Sequence, residues 1–120
     1  MLAALLFAAQ LVAAPVGYDA AKALADANEA KLSADLHSAL LESQGNALGG
    51  ALASCGRPGM DLAKFTVVLR LNPDGSVAQS WRQGDTSLAK CMHAKLSASG
   101  LVGHWPQPFY TSFEVSLGGA

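Results

Sequence analysis

The side chains in this sequence that could do chemistry are few and scattered. Two cysteines, Cys55 and Cys91, and three histidines, His37, His93 and His104, stand among 9 acidic and 8 basic residues that form no cluster. A metal centre needs convergent ligands. Cys91-Met92-His93 supplies soft ones, but consecutive helical residues point about 100° apart, so the three cannot meet on one ion. Ser-His-Asp hydrolysis lacks supporting context such as a Gly-x-Ser-x-Gly elbow. Of the carboxylates near the middle of the chain, Asp74 is accounted for by a turn and Asp85 by a helix cap, which leaves Asp61. The residues therefore predict no catalytic site, no metal and no cofactor.

Composition narrows the rest. At 120 residues, 51% hydrophobic and a net charge of −1, the chain can bury one small core. It lacks the basic stripe from which nucleic-acid binding draws most of its affinity. Residues 1–16 are apolar except for Gln10. That run is short for the roughly 20 residues of a membrane span and suits a secretory signal peptide, with Val12-Ala13-Ala14 at the cleavage position. Ala21-Lys22-Ala23 is a second small-residue site, which would extend the leader to residue 23. Export to an oxidising compartment would make a disulfide the simplest reading of a lone cysteine pair; two buried free thiols, or metal or redox chemistry, are the alternatives. A bridge between Cys55 and Cys91 would restrain the unfolded chain by about 4 kcal/mol.

The elements that must position these residues are read from periodicity. Phe65, Val67, Leu69 and Leu71 fall on one face of a strand, with Thr66, Arg70 and Asn72 on the other, the period of a half-buried strand. Pro73-Asp74-Gly75 turns the chain, and Ser76 to Arg82 returns antiparallel. Asp85 or Thr86 caps a helix whose stripe is Leu88, Cys91, Met92 and Leu96 and which Gly100 ends. Trp105-Pro106-Gln107-Pro108 leads in an extended conformation into a last strand from Phe109 to Leu117. Ahead of this unit, Asp19 to Gln44 reads as one alanine-rich helix capped by Asp19 and closed by Gly45, with Leu32, Leu36 and Leu40 on its apolar face and little to bury before Ala30. Lys22 with Asp26 and Lys31 with Asp35 are spaced as i,i+4 pairs. Asn46 to Ser54 reads as a shorter second helix that Asn46 caps and Gly49-Gly50 weaken.

The run Phe65–Val77, the helix carrying Cys91, and His104-Trp105-Pro106-Gln107-Pro108 with its closing strand resemble the TonB C-terminal fold, and more closely its AgmX/PglI C-terminal variant. The resemblance covers about residues 47–117. It implies an α+β module of β-β-α-β order with a three-stranded antiparallel sheet, preceded here by an N-terminal helical extension. It also implies a pairing of the cysteine ahead of the first strand, Cys55, with the helix cysteine, Cys91. The expected organisation is a leader at 1–16, an alanine-rich helix at 19–45 and a TonB C-terminal-like domain at 46–120. The resemblance implies a protein-binding end in the bacterial envelope. An energy transducer would need a long proline-rich spacer, and no proline lies between Pro15 and Pro58, so a free periplasmic module is the better inference. Its expected partner is an envelope protein or peptide added as a strand at a sheet edge. Trp81, Arg82, Trp105 and Tyr110 are the candidate contacts, because aromatic and arginine side chains dominate interface energetics; the alternatives are a core position for Trp81, which shares a face with Val77, and a cover over the helix end for Trp105 beside Pro106. The alternative is an assembly subunit that oligomerises through the alanine-rich helix.

Overall fold

The computed structural model describes residues 16–117. The expected leader, but for Val16, lies outside them. Six elements follow in order: α1 (Tyr18–Ala30), α2 (Ala34–Cys55), β1 (Phe65–Leu71), β2 (Val77–Gln83), α3 (Ser87–Ser99) and β3 (Phe109–Val115). The strands form one antiparallel sheet in the order β2-β1-β3, so the first strand is central and the other two are edges. The protein is thus α+β with an open three-stranded antiparallel sheet.

The hairpin forms as its turn residues dictate. Asp74 Oδ1 accepts from the Ser76 amide at 3.0 Å and from its hydroxyl at 2.7 Å. Gly75 takes φ +90, and a Cβ there would come within 1.8 Å of the Leu101 carbonyl oxygen. Only glycine lets the turn dock under the end of α3, where the Leu101 amide donates to the Gly75 carbonyl and the Trp105 amide to Pro73. At the start of α3, Thr86 rather than Asp85 is the cap, its hydroxyl accepting from the Ala89 amide at 3.1 Å.

The main core lies on the α2/α3 side of the sheet. Phe65, Val67, Leu69, Leu71, Phe109 and Phe113 meet Leu40, Ala51, Leu88, Met92 and Leu96 there. Cys55, the last residue of α2, bonds to Cys91 on α3 with a Cα–Cα distance of 5.8 Å. The bridge ties the two helices over the sheet.

Two expectations for the N-terminal half are corrected. The single helix from Asp19 to Gln44 is two helices that part at residues 31–33, where the Ser33 hydroxyl caps α2 by accepting from the Leu36 amide at 3.2 Å. α1 itself starts after Gly17, with no side-chain cap; Asp19 sits in its first turn. The separate helix from Asn46 to Ser54 is the second half of α2, which passes Gly45, Gly49 and Gly50 without a break and so crosses the expected boundary at 45/46. A Cβ on any of those three glycines would meet nothing within 4 Å. They are solvent-side positions, where glycine weakens a helix without interrupting it. Lys22 and Asp26 pair at 2.6 Å as their spacing allows, while Lys31 and Asp35 lie on either side of the break.

A third correction concerns the sheet. β1 is not half-buried: Thr66 and Val68 are buried as well as the residues that alternate with them. α1 lies across the second face, with Ala21 and Ala25 fully buried against Val68 and Tyr110, and Trp81 packed alongside. The stretch expected to bury little instead uses alanine to bring a helix backbone close to a sheet.

Candidate functional site

A three-stranded open sheet has two edges, and unpaired edge backbone is what an extended partner would join. The two edges here are treated differently.

At β3 the outward backbone groups are taken up by side chains of the same molecule. The Tyr110 amide donates to Asn28 Oδ1 at 2.7 Å and the Ser112 amide to Glu29 Oε2 at 2.9 Å. Gln44 Nε2 donates to the Ser112 carbonyl at 3.1 Å and to Thr111 Oγ1 at 2.9 Å, and the Thr111 hydroxyl donates to Glu29 Oε2 at 2.6 Å. Asn28 and Glu29 end α1 and Gln44 lies on α2, so the helix pair straddles this edge with one member on each face. Farther along, Lys22 reaches Glu114 at 3.2 Å. Asp26 chiefly, with Glu114, holds the Lys22 ammonium above the usual lysine range against partial desolvation.

At β2 the arrangement is open. Since Tyr110 and Ser112 turn their backbone groups outward, their partners Arg70 and Val68 turn theirs toward β2, where they meet Gln79 and Trp81. The alternation then directs the backbone N–H and C=O of Ser80 and Arg82 away from the sheet. Among the described residues neither amide nor carbonyl of these two finds a hydrogen-bond partner.

Beside that edge sits a polar cluster that joins β2 to α3. Arg82 Nη1 lies 2.9 Å from His93 Nδ1, and His93 Nε2 lies 2.8 Å from Ser80 Oγ. A guanidinium only donates, so Nδ1 must accept and the ring proton sits on Nε2, which donates to Ser80. Ser80 is therefore an acceptor toward His93. This is the reverse of a nucleophile activated by a base. Ser97 also donates to Ser80 Oγ at 3.0 Å, and Arg82 reaches the Gly84 carbonyl at 2.7 Å and Asp85 at 3.4 Å. Burial first and the Arg82 charge second push His93 below its ordinary pKa, which keeps it neutral. His37 and His104 are exposed and make no hydrogen bond to this cluster. Among the described residues no group of three or more His, Cys, Asp or Glu could hold a metal ion.

Of the four candidate contact residues, Trp81 and Arg82 lie on β2, and only Arg82 turns its backbone outward at the open edge. Trp105 is 4% exposed, stacks on Phe109 with ring centres 5.5 Å apart, and donates to the Leu101 carbonyl at 3.1 Å. It closes the main core beneath the hairpin turn. Trp81 and Tyr110 stack at 5.7 Å on the face that α1 covers, and Trp81 Nε1 donates to the Val16 carbonyl at 2.9 Å. The structure thus brings Trp81 and Tyr110 together, but under α1. The residues the sequence reading missed are Asn28, Glu29 and Gln44, for which no local pattern exists, and Ser80; His93 enters that reading only as a metal ligand. The signal for the covered face was present: Val68, Trp81 and Tyr110 are large residues that fall on the supposedly polar side of adjacent strands.

No protein-family model matches the chain, and comparison with curated proteins and with solved structures yields no match. No helix among the described residues is long and apolar enough to cross a membrane.

Proposed function

We propose that this chain is a non-catalytic, exported protein-binding module of the bacterial envelope that accepts an extended segment of a partner along the β2 edge. The observation that carries the reading is the asymmetry of the sheet: Asn28, Glu29 and Gln44 cap the β3 edge, while the backbone of Ser80 and Arg82 turns outward unpaired. Main-chain hydrogen bonds would supply affinity there, and Arg82 with its neighbours would favour polar or acidic side chains on the incoming strand. The β-β-α-β order and the Cys55–Cys91 bridge are what the resemblance to the TonB C-terminal fold, and to its AgmX/PglI variant, implies, and they support a place in that group. A disulfide persists best in an oxidising compartment, which supports a periplasmic location.

The test is a pair of substitutions at one position. Ser80→Ala and Ser80→Pro both remove the hydroxyl that meets His93, but only proline also removes the outward amide, and proline is tolerated on an edge strand whose N–H faces solvent. With cross-linking capture from an envelope extract, the partner should be retained by Ser80→Ala and lost by Ser80→Pro. Equal capture by both would remove β2 from the reading. The mass of the mature chain tests export: a cut after Ala14 leaves Val16 and all of α1 in place, whereas an uncut chain in the membrane fraction would contradict a cleaved leader.

A second reading, an assembly subunit, loses the contact first expected for it. Leu40 is buried in the main core, with Leu32 packed against it, so two of the three leucines of that stripe are engaged within the chain.

A further inference from the structure

α1 is joined to the rest of the molecule in an unusual way. It packs on all three strands rather than on α2, and its anchors, Ala21, Ala25, Asn28 and Glu29, all address the sheet. The link to α2 is the three residues Lys31-Leu32-Ser33, which contain no proline or glycine. From Tyr18 to Cys55 there is no proline at all, and local preference favours one continuous helix across the link. The bend survives because the Ser33 cap and the contacts of α1 hold it. The link is also not packed in on every side, since Lys31 and Leu32 border an open pocket of about 350 Å³ against Pro106, Pro108 and Phe109.

We propose that the sheet face formed by Val68, Trp81 and Tyr110, together with the β3 edge, is an interaction surface for α1 of a second copy of this chain. When residues 31–33 straighten, α1 continues α2 as a single rod and swings off its own sheet. The uncovered surface then fits the one segment already shaped to it, the α1 of another molecule in the same state. Two chains exchange α1 reciprocally, every contact of α1 is remade between chains, and the local losses are confined to the link: two bends, two N-caps and the packing of Leu32 on the main core. Exchange of an identical element is a low-cost route to a dimer for this reason. The inference does not depend on strand addition, because it uses the opposite edge of the sheet.

The Lys22–Glu114 ion pair at 3.2 Å, which joins α1 to β3, gives a readout on the unaltered protein. Equal amounts of ¹⁴N- and ¹⁵N-labelled chain are mixed, unfolded, refolded at high concentration and treated with a zero-length carbodiimide cross-linker, and the dimer fraction is separated by size. Exchange predicts mixed-isotope Lys22–Glu114 peptide pairs in about half of the cross-links of the dimer. Single-isotope pairs only, or no dimer at high concentration, would overturn the proposal. Two variants sharpen it. Ala34→Pro suits the bent form, because Ala34 is the first residue of α2 and Ser33 before it is extended (φ −62, ψ 163), but it cannot sit inside a continuous helix. It should fold as a monomer and form no dimer. Ser33→Ala removes the cap and should raise the dimerisation constant about thirtyfold, the weight of one typical N-cap lost from each of two chains. A dimer of Ala34→Pro as abundant as that of the parent would contradict the straightened link.

Discussion

The two faces of the sheet are covered by helices in opposite ways. On one, α2 and α3 bring Leu40, Leu88, Met92 and Leu96 against Phe65, Leu69, Phe109 and Phe113, and a disulfide locks the helix pair. On the other, α1 brings two buried alanines and is held at its ends by Asn28, Glu29, Lys22 and the Val16 carbonyl. Large apolar side chains contribute roughly 1.5–3 kcal/mol each when buried, whereas a neutral hydrogen bond adds about 1. The first face is therefore the stable body of the protein. The second is a cover fastened by a few directional contacts, and the three-residue link to α2 makes it separable. The edges follow the same division: α1, with Gln44 of α2, closes β3, while the outward backbone of Ser80 and Arg82 on β2 has no hydrogen-bond partner among the described residues.

The comparison can be broken from the strong side first. Reducing the Cys55–Cys91 bond, or replacing both cysteines with serine, should cost about 4 kcal/mol through restored freedom of the unfolded chain. That corresponds to a fall in Tm of well over 10 °C for a domain of this size. Thermal melting with and without reductant reads it directly, and unchanged melting would mean that the bridge does not fasten the main core. On the cover side the effect should be smaller. Glu29→Ala removes the acceptor for both the Thr111 hydroxyl and the Ser112 amide and should cost about 2 kcal/mol. Amide exchange in this variant should quicken at Ser112 and along α1 while the main-core strands stay protected. Uniform loss of protection would show that the two faces are one cooperative unit.

The smallest effect is the pH dependence of the cluster beside β2. His93 has a folded pKa below that of the unfolded chain, pushed down by burial and by Arg82. Protons therefore bind the unfolded chain more readily. The stability associated with neutral His93 is complete above the ordinary histidine value near 6.5 and is lost as the pH falls from there through the lowered folded value. Asp85, paired with Arg82 at 3.4 Å but largely exposed, offsets little of the repulsion between Arg82 and a protonated ring. Denaturant midpoints should fall between pH 7 and pH 5 in the parent, and His93→Gln should flatten that slope.

How much of this could be read in advance follows from where each feature is encoded. The hairpin, the Gly75 turn, α3 and its closing Gly100 are local, written in alternation and in residues that demand particular backbone angles, and they appear where the sequence places them. The bend at residues 31–33 is not local. Nothing in Ala30-Lys31-Leu32-Ser33-Ala34 breaks a helix, and the bend arises because α1 gains more on the sheet than it would as a free extension of α2. Trp81 and Tyr110 read in sequence as candidate contacts, with a core place as the alternative for Trp81, and the sequence does not decide between them because the helix that covers them comes from a segment whose alanines give no strong apolar stripe. Asn28 and Glu29 look like ordinary solvent residues until the β3 edge lies beside them. Arg82 was legible as a candidate; the outward direction of its backbone needed the register of all three strands.

The central claim is that one sheet edge is closed from within and the other is open, and amide hydrogen exchange on the free protein tests it most directly. Tyr110 and Ser112 donate to Asn28 and Glu29, so their amides should be strongly protected, whereas the outward amides of Ser80 and Arg82 should exchange at rates close to those of exposed backbone. Equal protection of the four amides, or faster exchange at Tyr110 and Ser112 than at Ser80 and Arg82, would contradict it.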